Sequence, residues 1–395
     1  MDQGMTILEI LRQRSPASRA ELAAASGLSA ATVSRAVDRL RREGLVREFT
    51  VAGESLGRPP RLVELLPEAA YVVGIDAGGS MLRAVLADLE GVVRARAARP
   101  LSDPRDRQAL VADLVAVARE VMGVAAGRPV LAAVAGISGI VDHADGRVLL
   151  SPDLPALDGT ALARVLEDAL GLPVAIDNDD LLAAVGEAAA GAARGLADVA
   201  FLSLGYGLGA GLIVAGRPVR GASHAAGAIA FLGSGRIEER ASGRAIPVRY
   251  LEAVGQASAE SSGAVAPPGR TGLDARAVFE LAAAGDPVAR AVVGDAIDAL
   301  GELVIDVAAL FDPEVIVLGG GLVSSGSVLF EPLASRLRAE VPFPPRLVAS
   351  ALEGAAVVHG AVSVALAIGR QRLSGGAGTR RIQPDQSRVG PLRLA

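Results

Sequence analysis

The 395-residue sequence contains no cysteine, no tryptophan and no lysine, and only three histidines, His143, His224 and His359. Without a thiol there is no disulfide, no thiolate nucleophile and no Cys-ligated zinc or iron–sulfur centre. The histidines are scattered along the chain, where an isolated imidazole is more often a loop or packing residue than a ligand or base. No metal, and in particular no structural zinc, is therefore expected. Neither sign of charge dominates: all 39 basic residues are Arg, and 44 acids leave a net charge of −5. The whole molecule is no polycation, so a nucleic-acid role must reside in a locally basic segment. Nor is a lipid-spanning run present. Mean hydropathy is +0.41, but the uncharged stretch 199–216 carries Gly205, Gly207, Gly209 and Gly211 in alternation, which suits a turn between strands better than a membrane helix. Asp2, Glu9 and dispersed Arg interrupt the N-terminus, so no signal peptide is read and a cytoplasmic location is expected.

What is present is the composition of an ordered protein, 51% hydrophobic and 21% charged with 47 Gly and 22 Pro. At roughly 150 residues per domain the length predicts two or three domains. Residues 1–66 read as three short helices and a hairpin. Ile7, Leu8, Ile10 and Leu11 share one side of a first helix that ends before Ser15-Pro16. Ser18 can cap a second helix over Arg19–Ser26, stopped by Gly27; Ser29 can cap a third that runs through Val33, Val37 and Leu40 to Glu43. Two extended segments follow, beginning at Leu45 and at Leu62, separated by the turn Gly57-Arg58-Pro59-Pro60.

Helix, glycine turn, helix is the geometry that delivers a helix to a DNA major groove, with a hairpin able to reach the backbone or minor groove. The third helix offers Thr32, Ser34, Arg35 and Arg39 on its expected exposed side. Small hydroxyl residues permit close approach, and Arg35 can fork onto a guanine edge. Ten Arg against eight acids in residues 1–66 give only a slight basic surplus; the plainer alternative is a helical subdomain with solvated charges.

From Tyr71 the texture becomes aliphatic strands, Gly-rich turns and Ala-rich helices. Tyr71–Asp76 and Leu82–Asp88 read as a hairpin around Gly78-Gly79; strands are expected at Leu131–Ala135 and Pro173–Ile176, and a helix from Asp180 to Ala193. Val199–Leu204 begins a second Gly-rich hairpin of similar pattern, which suggests two α/β lobes that begin alike. The second lobe is expected to end with the helix Leu300–Phe311, the strand Val315–Leu318 and Gly319–Gly321. The two lobes span 67–373, and the polar segment 374–395 is expected to be a disordered tail.

Three turns can address phosphate. A turn such as Gly78-Gly79-Ser80 can offer backbone N–H groups and a hydroxyl, with strand-end Asp76 placed to hold hydrated Mg²⁺. Gly205 and Gly207 lie in the second such turn, Gly319 and Gly320 in the third. Asp177-Asn178-Asp179-Asp180 sits where a strand gives way to a helix, a place from which side chains project into a cleft. A carboxylate there can take the proton of a substrate hydroxyl; the alternative is helix capping, preferred for Asp180 and level with the functional reading for Asn178 and Asp179.

In this arrangement the chain resembles the ROK family of repressors, uncharacterised reading frames and sugar kinases, over about residues 6–370. Arg19-Ala-Glu-Leu-Ala, Gly27-Leu-Ser, Thr32-Val-Ser-Arg35 and Gly44-Leu-Val46 resemble the winged helix-turn-helix of its regulators, with Gly57-Arg58-Pro59 as the wing. Ile75–Ser80, Gly139-Ile-Val-Asp142, Ser151–Pro155, Asn178-Asp179, Gly186-Glu187, Leu204–Gly211, Gly216, Gly221, Ala226-Gly227 and Asp312–Gly321 follow in the family's order. The resemblance implies an N-terminal DNA-binding domain and a two-lobed, actin-like sugar-kinase fold. It implies Asp179 as catalytic base, Asn178 and Glu238 as sugar contacts, and Arg19 and Arg58 among the DNA contacts.

The departures decide the expected function. Where family kinases carry Gly-Glu-x-Gly-His, this chain reads Gly227-Ala228-Ile229-Ala230-Phe231; the Cys-rich zinc loop is shortened to Phe231–Ile237, and Tyr206 replaces the Thr of the second phosphate turn. The expectation is a transcriptional regulator, a repressor, acting as a homodimer on a double-stranded operator. Its kinase-like domain, without a resident cofactor and with ATP and Mg²⁺ disfavoured, is expected to sense a sugar or related effector. A carbohydrate kinase ranks second, with Asp179 a vestigial base in the first reading and a working one in the second. An architectural DNA binder without a ligand is third.

Overall fold

The structure, a computed structural model, describes residues 3–50, 61–78, 80–260 and 273–374. It opens with α1 (Gln3–Gln13), a short strand β1 (Ala17–Ser18), α2 (Arg19–Ser26), α3 (Ala30–Arg42), β2 (Val46–Thr50) and β3 (Arg61–Leu65). Both caps read from the sequence form. Ser18 accepts the amide of Glu21 while the Glu21 carboxylate accepts that of Ser18, a reciprocal arrangement that satisfies two otherwise orphaned donors. Ser29 accepts the amide of Thr32. Each helix buries one side: Ile7, Leu8 and Leu11, then Leu22, then Val33, Val37 and Leu40 close on Val46, Val63 and Leu65. The strand β1 pairs with β3 and is not readable from the sequence, because two residues carry no period.

Two lobes follow. The first contains β4 (Tyr71–Ala77), β5 (Met81–Asp88), β6 (Val93–Pro100), α4 (Arg107–Met122), β7 (Val130–Ile137), β8 (Ile140–Asp142), β9 (Arg147–Leu150), α5 (Leu162–Leu170), β10 (Val174–Asn178) and α6 (Asp179–Ala190). Its main sheet has the order β10-β7-β4-β5-β6, an antiparallel meander of three strands to which β7 and β10 add in parallel. The second lobe contains β11 (Val199–Leu204), β12 (Leu208–Val214), β13 (Arg217–Pro218), α7 (Arg236–Ala241), α8 (Ala245–Glu260), α9 (Ala275–Ala283), α10 (Pro287–Phe311), β14 (Val315–Gly319), α11 (Ser327–Glu340) and β15 (Arg346–Ala349). Its sheet order, β13-β12-β11-β14-β15, repeats the same plan. The repeated hairpin in the sequence is thus the local part of a repeated five-strand topology whose parallel members need crossover connections.

Two expectations are corrected. The meander has a third strand, β6, that the sequence pattern does not predict. The second lobe also continues beyond Gly319–Gly321, and the chain then re-enters the first lobe as α12 (Ala356–Ser374). This last helix lies on β4, β7 and α6 and shares their core: Val358, Ala361, Val362, Ala365 and Leu366 are buried with Val72, Val134 and Leu182. Its approach to α6 is backbone to backbone. A Cβ at Gly360 would collide with the Leu182 carbonyl, and one at Gly186 with the Ala356 carbonyl. That same buried cluster runs without a break into Ile7, Leu11 and Val37 of the N-terminal domain. Of the expected tail 374–395, Ser374 ends α12, and residues 375–395 lie outside the described residues. Among the described residues no helix is long and apolar enough to cross a membrane.

Candidate functional site

Two sites emerge, one on each side of this shared core. In the N-terminal domain, α3 turns Arg35, Arg41 and Arg42 outward, with Thr32 and Ser34 half-buried beside them. Thr32 keeps its hydroxyl on Ser29 at 2.9 Å, and Arg35 has no ion-pair partner among the described residues. Two more Arg of the expected DNA face, Arg19 and Arg39, are differently placed. Arg19 reaches inward to Asp38 at 2.8 Å and Glu48 at 2.9 Å and donates to the Ser34 carbonyl at 3.3 Å. It therefore locks α2, α3 and β2 together, and its guanidinium is not free for phosphate. Arg39 pairs with Glu43 at 3.6 Å and packs against Gly4 of α1. Arg58, the expected wing contact, lies outside the described residues, as does Gly79.

The second site is a cleft of about 460 Å³ between the lobes, bordered by Asp153, Asn178, Asp179, Asp180, Ser203 and Glu238. Asn178, the chain's only asparagine, caps α6 by accepting the amide of Leu181 at 2.8 Å, and its side-chain amide donates to the Gly139 carbonyl at 2.9 Å. The cap is therefore Asn178, and the capping role read for Asp180 is corrected. Asp180 instead faces the second lobe, where it lies against Gly209 and Gly211 with Ser203 beside it. Sequence reasoning missed Asp180 because two adjacent acids at a helix start look alike until the opposite strand is placed. Glu238, on α7, accepts the Leu208 amide at 2.9 Å and pairs with Arg244 at 3.1 Å. Tyr206 and Phe231 flank the opening and remain 65% and 63% exposed, an apolar rim over an acidic floor.

Burial and mutual repulsion change the floor's acidity. Burial, then the charges of Asp180 and Asp76, raises the Asp179 carboxyl well above its ordinary range. Asp180 is pushed up to about 6, by burial first, against the lowering influence of the Ser203 hydroxyl and with help from Asp153, Asp76 and Glu238. Burial raises Glu238 as well. Clustered carboxylates with few cations tend to hold a proton among them rather than ionise together.

The phosphate turns are only partly gathered here. Gly205 and Gly207 border the cleft, and a Cβ on Gly320, where φ is +89°, would crowd the Leu204 carbonyl and the Gly205 amide, so the turn at Gly319 and Gly320 meets the turn at Gly205. Asp76, Gly78 and Ser80 are not among the residues bordering it. Asp76 pairs with Arg83, its cross-strand partner, at 3.1 Å, and burial pushes it up to about 6 against that pull. A carboxylate so engaged is poorly suited to hold Mg²⁺. Glu187, assigned no role from sequence, is fully buried and accepts the amides of Ala192 and Leu352 at 2.7 and 3.1 Å and the Ser350 hydroxyl, tying the end of α6 to the segment after β15.

The scattered histidines are another correction. His143 and His224 meet with ring centroids 5.5 Å apart, and Asp142 lies 3.6 Å from His224. Burial first, then Arg220, lowers the His143 pKa, favouring the neutral ring. Arg220, from the segment after β13, also bonds Asp177 of β10 at 2.6 Å, so this part of the second lobe docks on the first by more than one contact.

Residues 72–368 match the ROK family, and residues 4–47 match the winged helix-turn-helix DNA-binding family. The xylose repressor of Caldicellulosiruptor bescii is 26% identical over 349 residues, 83% of this chain and 85% of the repressor. The glucokinase of Streptomyces coelicolor is 30% identical over 276 residues, 66% of this chain and 85% of the glucokinase. A crystal structure of a ROK family transcriptional regulator, a homologue of the E. coli MLC protein, superimposes with a TM-score of 0.74 at 24% identity, covering 94% of this chain and 96% of that one. That likeness extends through both the DNA-binding domain and the lobes. With the family match spanning well over half its length and the helix-turn-helix in front of it, the chain belongs to the ROK family.

Proposed function

We propose that the chain is a DNA-binding transcriptional repressor whose two-lobed domain senses a sugar or closely related effector and whose homodimer binds a pseudo-palindromic operator. The observation that carries this reading is the unbroken core from α1 and α3 through α12 to α6, the helix whose first residues border the cleft. A ligand that binds one lobe arrangement better than another can therefore bias how the DNA-binding domain is held. On DNA, Thr32 and Ser34 allow close approach, Arg35 reads a base edge and Arg58 of the wing contacts backbone; two-fold symmetry of the protein is copied into the half-sites. In the cleft, Asn178, Asp179 and Glu238 take sugar hydroxyls, and Tyr206 and Phe231 cover the apolar face of a ring. Relatives named as xylose repressors support the choice of function.

A sugar kinase is the second reading, favoured by Asp179 at the start of α6 and by relatives named as glucokinases. Against it, Ala228 and Phe231 stand where family kinases carry the Glu and His that contact sugar hydroxyls, so a bound sugar would leave those hydroxyls unpaired. The test is a sugar panel read three ways on the full-length chain: melting temperature, affinity for duplexes selected from a random pool, and ATP consumption. A sugar that raises the melting temperature and shifts duplex affinity without being phosphorylated supports the repressor. Robust turnover that disappears in Asp179→Asn overturns it.

A further inference from the structure

We propose that Asp142, His143 and His224 form a divalent transition-metal site that clips the two lobes together beside the cleft. Asp142 ends β8 and His143 follows it in the first lobe; His224 comes from the segment after β13 in the second. One ligand atom from each lies within 4.8 Å of the others. Two imidazoles packed edge to face need no ion, but the Nδ1 atoms of both rings are buried without a hydrogen-bond partner. Such atoms are costly to leave unmatched, so neither ring is satisfied by the protein, while His224 turns Nε2 toward Asp142 at 3.6 Å.

The surroundings orient the ligands. The amides of Ala144 and Asp145 donate to the Asp142 carboxylate at 3.0 and 3.2 Å, the kind of outer support that fixes a ligating group. His224 adopts φ +60°, a left-handed conformation that His and Asn enter more readily than most residues. The nearby cation Arg220 is matched by Asp177 at 2.6 Å, which leaves the Asp142 charge available to an incoming ion.

Two imidazoles and one carboxylate favour Zn²⁺, Co²⁺ or Ni²⁺ over Mg²⁺ or Ca²⁺. Bonds of about 2.0–2.1 Å would draw the three groups closer by roughly an ångström, leaving a further coordination position for water or another donor. Because the ligands come from both lobes, binding restrains the angle between them. The site is separate from the position of the family's zinc loop, where Phe231 stands, and the proposal does not depend on what the cleft binds.

The experiment titrates chelator-treated, full-length protein with Zn²⁺ and with Co²⁺. One equivalent of Zn²⁺ is expected to bind and raise the melting temperature, since an ion held only by the folded state stabilises it; Co²⁺ should give the visible absorption of a nitrogen-ligated centre. His224→Asn keeps a residue that tolerates the left-handed backbone, and His143→Gln tests the other lobe. Each should weaken Zn²⁺ binding by roughly tenfold or more while melting as a folded protein without metal. Absence of Zn²⁺ uptake at millimolar concentration overturns the proposal. So does unchanged affinity in both variants, which would place the ion among Asp179, Asp180 and their neighbours instead.

Discussion

Arg370 donates to the carboxylate of Glu9 at 2.7 Å, an ion pair that joins α12 to α1 across 361 positions of sequence. Glu9 also accepts from Arg12 at 2.7 Å. Although burial works to raise its pKa, the Arg12 hydrogen bond and the charge of Arg370 hold it below the ordinary value. The pair sits at the junction of DNA-binding domain and first lobe, where α12 touches both. Cleft, α6, α12 and α1 thus form a contiguous packed route, which is the physical precondition for coupling between the two sites.

Arg370→Ala should loosen α1 without unfolding the lobes. The expected loss is about 1–2 kcal/mol, less than for a fully buried pair because Arg12 remains on Glu9. Thermal melts and amide exchange in α1 measure it. As the folded pKa of Glu9 is depressed, its contribution is present above its unfolded value and lost as pH falls through the folded one; unchanged exchange in α1 would show that the pair holds nothing.

The α6–α12 crossing should not tolerate a methyl group. In Gly360→Ala the new Cβ meets the Leu182 carbonyl, and in Gly186→Ala the Ala356 carbonyl, so the helices must separate. Overpacking of this kind costs about 1–3 kcal/mol. Both variants should melt lower than wild type, and a variant melting at or above wild type would contradict the close approach.

The acids in and behind the cleft should set a distinctive pH dependence. Asp76 and Asp180, raised to about 6 from 3.8, favour the folded state below their unfolded pKa, and this stabilisation is lost as pH rises through about 6. His143 and His359, with lowered pKa, act oppositely: their stabilisation is present above 6.5 and lost as pH falls. The clean observable is the difference between Asp179→Asn and wild type, in which the histidines cancel. The variant should be the more stable at neutral pH, by an amount that shrinks as pH falls through the raised pKa of Asp179 toward its ordinary range. A less stable Asp179→Asn at neutral pH would refute the clustered-charge account.

Arg35 and Arg19 should separate recognition from folding. Arg35→Ala is expected to leave the melting temperature unchanged, cost about 1–3 kcal/mol in operator affinity and relax preference at one base position. Arg19→Ala should lower the melting temperature, because it leaves the buried Glu48, whose pKa is held low chiefly by the Arg19 hydrogen bond, with only the longer pairing to Arg41 at 3.8 Å. Duplex titrations and melts run in parallel decide it; a stable Arg19→Ala that loses DNA affinity would restore Arg19 to the DNA face.

The sequence by itself determined the local elements: the capped helices of the first 50 residues, the Gly-rich hairpins and the strand-to-helix step at Asn178. Each depends on neighbours a few positions apart, so period, caps and turn residues suffice to read it. The ordered motifs likewise located Asn178, Asp179 and Glu238, which the fold gathers around one cleft. Tertiary structure alone decided what depends on distant partners. Arg19 turned inward because Asp38 and Glu48 lie across the fold, and Asp180 faced the cleft because Ser203 stands opposite. His143 and His224, 81 positions apart in the sequence, became neighbours because the second lobe docks on the first. Their side chains carry no local signal of that meeting, since it is set by the closure of two lobes and not by any stretch of chain.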